Sequence, residues 1–185
     1  DLEMSFAEQE DIFNEVEPIF YDLFLKYGRH KKTNKPPFKR ITYKEAIDKY
    51  GTDKPDLRNP IELVNVTDIF NSDEVKLKIF KDLIKKKGIV KAIPVKNTSS
   101  KPRSFFDNLN NWAIAEGASG LAYIAFENTK GKIVGKGPIS KFFSEKAISN
   151  LMKECSINEK DSVFFVCNQP IEANRFAGIV RQKIA

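Results

Sequence analysis

Four charged residues crowd around one proline in the run TDKPDLR: Asp53, Lys54, Asp56 and Arg58 flank Pro55. Side chains of this kind, at this spacing, can pair with one another or meet an oppositely charged partner, and the backbone decides how freely they do so. Pro55 fixes its own φ and pushes Lys54 toward an extended conformation. The charges are therefore held rather than dangling, and a loop both rigid and charged is a candidate contact surface.

Nothing else in the chain competes with it as a site. There is no GxxxxGK[ST] phosphate loop, no GxGxxG after a strand, no GxSxG elbow and no HExxH. The glycines of residues 130–140, KGKIVGKGPIS, have the wrong spacing for a phosphate loop and read as a flexible hairpin or loop. Cys155 and Cys167 lie twelve residues apart without a CxxC pair, and His30 is the one histidine, so neither a zinc site nor a disulfide framework is indicated. Two reduced thiols and a surface histidine are expected, with no metal site and no catalytic residue in this stretch. Trp112 shares helical spacing with Phe105 and Leu109 and reads as a core residue rather than a base-stacking platform.

The elements that position the charged loop are well punctuated. Thr42 can cap a helix over residues 43–50, Glu45 completes a capping box, and Gly51 can take the left-handed conformation that ends it. Upstream, residues 6–27 carry Ile12, Val16, Ile19, Phe20 and Leu23 at helical spacing, with Ser5 and Glu8 as a second capping box and Gly28 as the stop. Pro18 inside this run predicts a bend or two abutting helices. Residues 29–40, RHKKTNKPPFKR, form a basic loop read as a solvated, mobile connector, with contact to RNA phosphate as the other reading.

From residue 75 the pattern changes to short β-type runs alternating with helices. Residues 75–83 and 89–95 flank the turn Lys85-Lys86-Lys87-Gly88 and read as a hairpin, although Leu77, Phe80 and Ile84 also fit a helix. Residues 104–116 and 141–155 read as helices, residues 120–127 as an alternating strand, and residues 162–167 as a dense β-former run suited to a central strand. Residues 171–185 open as a helix. This order predicts an α+β fold, a mostly antiparallel sheet in two layers with helices on one face.

Composition narrows the class only mildly. Apolar residues at 41% and charged residues at 30% suit a folded globular chain, and 31 Lys and Arg against 25 Asp and Glu give +6, a mild excess suited to a phosphate-rich partner. No apolar run approaches the roughly 20 residues needed to cross a bilayer. The chain starts at Asp1 without a signal peptide and reads as a piece of a longer cytoplasmic protein.

The segment TYKEAIDKYGTDKPDLRNPIELVNVTDIF, residues 42–70, resembles the one that follows motif 2 in bacterial-type aspartyl-tRNA synthetases of class II. DLEMSFAEQEDIF, residues 1–13, is similar to the last strand of motif 2 and the helix after it. GASGLAYIAFE (117–127), KGPISKFFSE (136–145) and DSVFFVCNQ (161–169) are similar to the body of that family's insertion domain, called GAD. The resemblance covers nearly all of the chain. It implies three parts: residues 1–58 as a catalytic-domain segment after motif 2, residues 59–170 as the GAD-like insertion, and residues 171–185 as the return toward the catalytic domain.

It also implies a function. The whole enzyme would use ATP and Mg²⁺ to form aspartyl-adenylate and pass the aminoacyl group to tRNA, as a cytoplasmic homodimer with no membrane association. The activating groups lie on the motif 2 loop and in motif 3, outside this chain, so the isolated chain is expected to be inactive and to need no cofactor. By resemblance Asp1 faces the ammonium group of the aspartate substrate, the alternative being a frayed terminus. Asp53, Lys54 and Arg58 either hold a hinge through ion pairs or meet the acceptor end of tRNA. Two other readings remain: a non-catalytic RNA-binding module, and the B subunit of the tRNA-dependent amidotransferase, which shares a GAD domain.

Overall fold

Continuous burial along one strand sets the architecture of the computed structural model, which describes residues 2–29 and 31–185. The expectations for Asp1 and His30 therefore lie outside the described residues. In chain order the elements are α1 (Gln9–Tyr27), α2 (Tyr43–Tyr50), β1 (Val64–Asn65), α3 (Thr67–Asn71), α4 (Lys78–Lys85), β2 (Ile89–Val95), α5 (Arg103–Ala115), β3 (Ala122–Thr129), β4 (Lys132–Lys136), α6 (Glu145–Glu154), β5 (Ser162–Asn168) and α7 (Pro170–Ile184). They form two compact units, Asp1–Ile41 and Thr42–Ala185.

In the second unit all strand pairs are antiparallel, in the order β1-β2-β5-β3-β4. The dense run in β5 lies at the centre, as its composition predicts. Val163 pairs with Pro94 on one side and Ile124 on the other, and Phe165 with Ala92 and Ala122.

The α+β class with an antiparallel sheet is as expected; the layering is not. Five consecutive residues of β5 are buried, and alternate side chains point to opposite faces of a sheet. Val163 and Phe165 join a core with Val90, Ala92, Ile124, Phe70, Ala147 and Leu151, under α3, α4 and α6. Phe164 and Val166 join another with Ile93, Val95, Phe106, Leu109, Ala173 and Val180, under α5 and α7. Helices thus cover both faces, in three layers rather than two, because a central strand apolar on both sides needs cover on both. Phe70 anchors the first core, its ring 5.0–5.2 Å from those of Phe80, Phe143 and Phe165. Trp112 is half-buried and stacks on Phe176 in the second, the packing role expected of it.

Residues 75–95 are not a hairpin. The helical alternative prevails as α4, since Leu77, Phe80 and Ile84 meet the first core along one face. Residues 132–136 form β4, which closes a hairpin with β3.

Three expectations shift in the first unit. α1 is capped by Glu8, whose backbone N–H donates to Asp11 at 2.9 Å, rather than by Ser5. It runs through Pro18 as one helix, which excludes the two abutting helices and keeps the single-helix alternative. The end of the basic segment is tied down: Phe38 N–H donates to Glu17 at 3.1 Å, and Arg40 pairs with Glu10 and Glu17 and lies 4.3 Å over the Phe13 ring. The carboxylates of α1 supply the counter-charges that a solvated connector would lack.

One buried carboxylate joins the strand ends. Asp161, 3% exposed, accepts from Asn97 N–H, Asn158 N–H and Lys96 Nζ at 2.9–3.0 Å. Burial alone would raise its pKa, but these donors together hold it below the ordinary carboxylate value. A depressed pKa contributes stability that is present above the unfolded-state value and is lost as pH falls through the folded-state value. Asp161→Asn should therefore cost about 2 kcal/mol at neutral pH. The cost should shrink as pH falls below about 4. Urea unfolding of both proteins across pH checks this; a cost independent of pH would contradict it.

Candidate functional site

The charged loop starts where α2 stops. Thr42 Oγ1 accepts from Glu45 N–H at 3.2 Å, and Gly51, at φ +71°, closes the helix with its N–H on Ile47 O. Start and stop are those expected from the sequence, but the Glu45 carboxylate turns to Lys49, 3.0 Å away on the next turn.

Each cation of the loop is matched by a carboxylate of the loop itself. Lys54 Nζ lies 2.9 Å from Asp53, and Arg58 Nε donates to both Asp56 oxygens at 2.9 and 3.1 Å. The Arg58 guanidinium, helped by the Arg58 backbone N–H, holds the Asp56 carboxyl down to about 2. Pairs between residues one or two apart do not join the loop to another element. The side chains of Lys54 and Arg58 remain 85% and 89% exposed. The structure thus places Asp53, Lys54 and Arg58 together on one exposed turn.

What holds the turn is Arg181 on α7, which is completely buried. Its Nε donates to Ile61 O at 2.6 Å, and its Nη2 to Asn59 O at 2.7 Å and Asp56 O at 2.9 Å; Asn59 Nδ2 returns a bond to Arg181 O at 3.1 Å. The guanidinium lies 5.0 Å from the Tyr50 ring centroid, a cation–π contact, while Nη1 has no hydrogen-bond partner among the described residues. Burial draws the Arg181 pKa down, opposed by Tyr50, Asp56 and Glu62. The carbonyls of Asp56, Asn59 and Ile61 are thereby fixed to α7.

The same joint brings two backbones into contact. A Cβ on Gly51 would lie 2.3 Å from Asn174 O and 2.6 Å from Gly178 Cα, and one on Gly178 would lie 2.8 Å from Gly51 O. Only glycine allows α2 to end this close to α7. Lys91 completes the joint from β2: 2% exposed, it donates to Asp48 O at 2.9 Å and lies 3.8 Å from the Asp48 carboxylate. Burial lowers its pKa, and Asp48 opposes the shift. Tyr50 OH donates to Glu62 at 3.1 Å, and Leu63 N–H to Lys49 O at 2.7 Å.

The sequence reading missed Arg181, Gly178 and Lys91 as members of this site. A signal existed: Arg181 stands one turn after Ala177 in the apolar register of α7, where a lone arginine is out of pattern. Which backbone it would meet, 120 residues upstream, was not encoded locally.

The arrangement fixes charged side chains on one exposed turn, a geometry that can bind a charged partner. Among the described residues no three of His, Cys, Asp and Glu converge. Burial pushes Cys155 up to about 12 and Cys167 up to about 11, so neither is a thiolate at neutral pH. A cavity of about 530 Å³ between β4 and α6 is lined by Lys132, Glu145 and mainly apolar side chains, and one of about 500 Å³ beside α5 by Arg103, Asp107 and Tyr123, with Arg103 and Asp107 paired at 3.4 Å.

Residues 80–177 match the model of the GAD domain. The whole chain is 46% identical to an aspartate–tRNA(Asp/Asn) ligase of Methylocella silvestris, 45% to one of Pelagibacter ubique and 47% to one of Rickettsia bellii. It spans 29–31% of the length of these curated relatives.

Arg181→Lys should keep the charge yet lose the fork that reaches three carbonyls. We expect stability in urea to fall by about 3 kcal/mol, with an unchanged denaturant slope. A loss below about 0.5 kcal/mol, the usual effect of a surface change, would show that the clamp does not hold the loop.

Proposed function

The chain belongs to the GAD domain family, and from that premise we propose that it is the GAD-containing part of an aspartate–tRNA ligase and helps to place the tRNA acceptor region. The observation that carries this reading is the likeness to such ligases, sustained at 45–47% identity along the entire chain rather than over the GAD domain alone. An amidotransferase subunit or a free-standing RNA-binding module would share only the GAD portion.

On this reading residues 1–58 belong to the catalytic domain after motif 2, residues 59–170 are the insertion, and residues 171–185 return to the catalytic domain. The apolar surface of α1 supports a larger surrounding domain. The helix buries none of its residues, and Ile19, Phe20, Leu23 and Phe24 are 45–53% exposed. Asp1 would face the ammonium group of the substrate aspartate. Asp53, Lys54 and Arg58 are the charged loop offered to tRNA. ATP and Mg²⁺ act elsewhere in the longer, cytoplasmic, homodimeric protein, where charge on the activated phosphate must be stabilised.

The relatives are named for both tRNAs, so the longer protein should charge both aspartate and asparagine tRNA with aspartate. Aminoacylation of each purified tRNA by the longer protein tests this. The 185-residue chain alone should give no aspartate-dependent ATP–pyrophosphate exchange above a heat-killed control. Failure of the longer protein to charge either tRNA, or exchange by the short chain, would overturn the assignment.

A further inference from the structure

Resting on the tRNA-positioning reading above, we infer that the solvent face of α4 and the turn after it form the surface on which this domain meets the RNA phosphate backbone. Of the 24 Lys and Arg and 17 Asp and Glu in Thr42–Ala185, six and one lie in residues 76–88. Thirteen residues thus hold most of the positive excess of the unit. Read as a hairpin turn, these lysines would be a solvated bend. As a helix they acquire a geometry.

Leu77, Phe80 and Ile84 face the first core, so Lys78 and Lys85, seven residues apart, share the opposite, exposed face about 10 Å from one another along the axis. The lysines that follow sit on ordered backbone. Lys86 N–H and Gly88 N–H donate to Leu83 O, Lys87 N–H donates to Ile84 O, and Gln169 Nε2 donates to Lys86 O at 3.0 Å.

The density of unpaired charge distinguishes this face. Among the described residues other lysines, Lys130, Lys132 and Lys160 among them, also have no carboxylate within 4 Å, but no run of ten residues elsewhere in Thr42–Ala185 carries four of them. Lys54, Arg58, Arg103, Lys136 and Arg175 each have a carboxylate within 4 Å. Among the described residues none lies that close to Lys78, Lys85, Lys86 or Lys87, and the one acidic residue on the helix is Asp82. Four unneutralised ammonium groups on a fixed scaffold complement a row of phosphates, and binding is driven by the counterions they release.

Two features define the ligand further. The face carries no aromatic side chain, so it has nothing to stack on a base or read a base edge, and recognition must be of the backbone. A membrane-lying helix would turn a broad apolar face outward, whereas here Ile79, 72% exposed, is the single large apolar side chain on the outer side.

The test compares the 185-residue chain with Lys78→Gln/Lys85→Gln/Lys86→Gln and with the control Lys130→Gln/Lys132→Gln/Lys160→Gln. Glutamine removes charge and keeps helix propensity, and all six side chains are exposed or half-exposed, so thermal midpoints should not move. Fluorescence anisotropy of a labelled aspartate tRNA transcript is recorded from about 50 to 200 mM salt. The α4 variant should bind at least about tenfold more weakly with a salt slope flatter by about 2 to 3 units, and the control should match the parent. An α4 variant that binds like the parent overturns this inference and leaves the proposed function standing. Parent protein that binds no tRNA overturns the tRNA-positioning reading and the inference with it. Equal losses in both variants would mean diffuse charge rather than a face. Capture by phosphatidylglycerol vesicles that needs the same lysines, in the absence of tRNA binding, would reassign the face to a membrane.

Discussion

A buried guanidinium joins the two ends of the body Thr42–Ala185. Arg181, near the end of α7, donates to the carbonyls of Asp56, Asn59 and Ile61, in the loop that leads into the first strand. Those carbonyls belong to no helix or strand, and buried backbone acceptors without partners would each cost about 1–3 kcal/mol. Desolvating the cation is costly as well. The two costs offset one another only if the loop and α7 keep this one geometry, which makes the contact specific as well as stabilising.

The other features of the joint follow from that geometry. α2 must end against α7, which requires glycine at both 51 and 178. Tyr50 then lies against the guanidinium, and Lys91 reaches the last turn of α2 from the sheet. The exposed pairs Asp53–Lys54 and Asp56–Arg58 are consequences of the loop position rather than its cause, since exposed pairs are worth about 0–1 kcal/mol. The charged turn is thus presented by a rigid body, and the free ammonium groups of α4 are presented by the same sheet on its other face.

Much of this was legible in the sequence where the determinants are local. Thr42 and Gly51 punctuate α2 because capping and left-handed backbone depend on single residues. The run SVFFVCN announces a central strand because Val163, Phe164, Phe165 and Val166 are four consecutive β-formers. The same run, buried on alternating sides, implies helices on both faces, an inference that needs the strand's neighbours. α4 was ambiguous because Leu77, Phe80 and Ile84 fit either period over so short a run; packing of Phe80 on Phe70 and of all three residues into the first core decided it. The Arg181 clamp was illegible for a different reason: its partners are main-chain carbonyls, which carry no side-chain signature and lie 120 to 125 residues away.

The claim that Arg181 makes the charged loop part of the sheet body is tested most directly by hydrogen exchange. In the parent chain the amides of Ile61 and Leu63, bonded to Asn59 Oδ1 and Lys49 O, should be protected well above the exposed loop amides. In Arg181→Lys their protection should fall by at least about tenfold more than that of Val163–Val166 in β5, because the opening is local rather than global. Equal losses at the loop and in β5, or Ile61 and Leu63 amides already unprotected in the parent, would contradict the account.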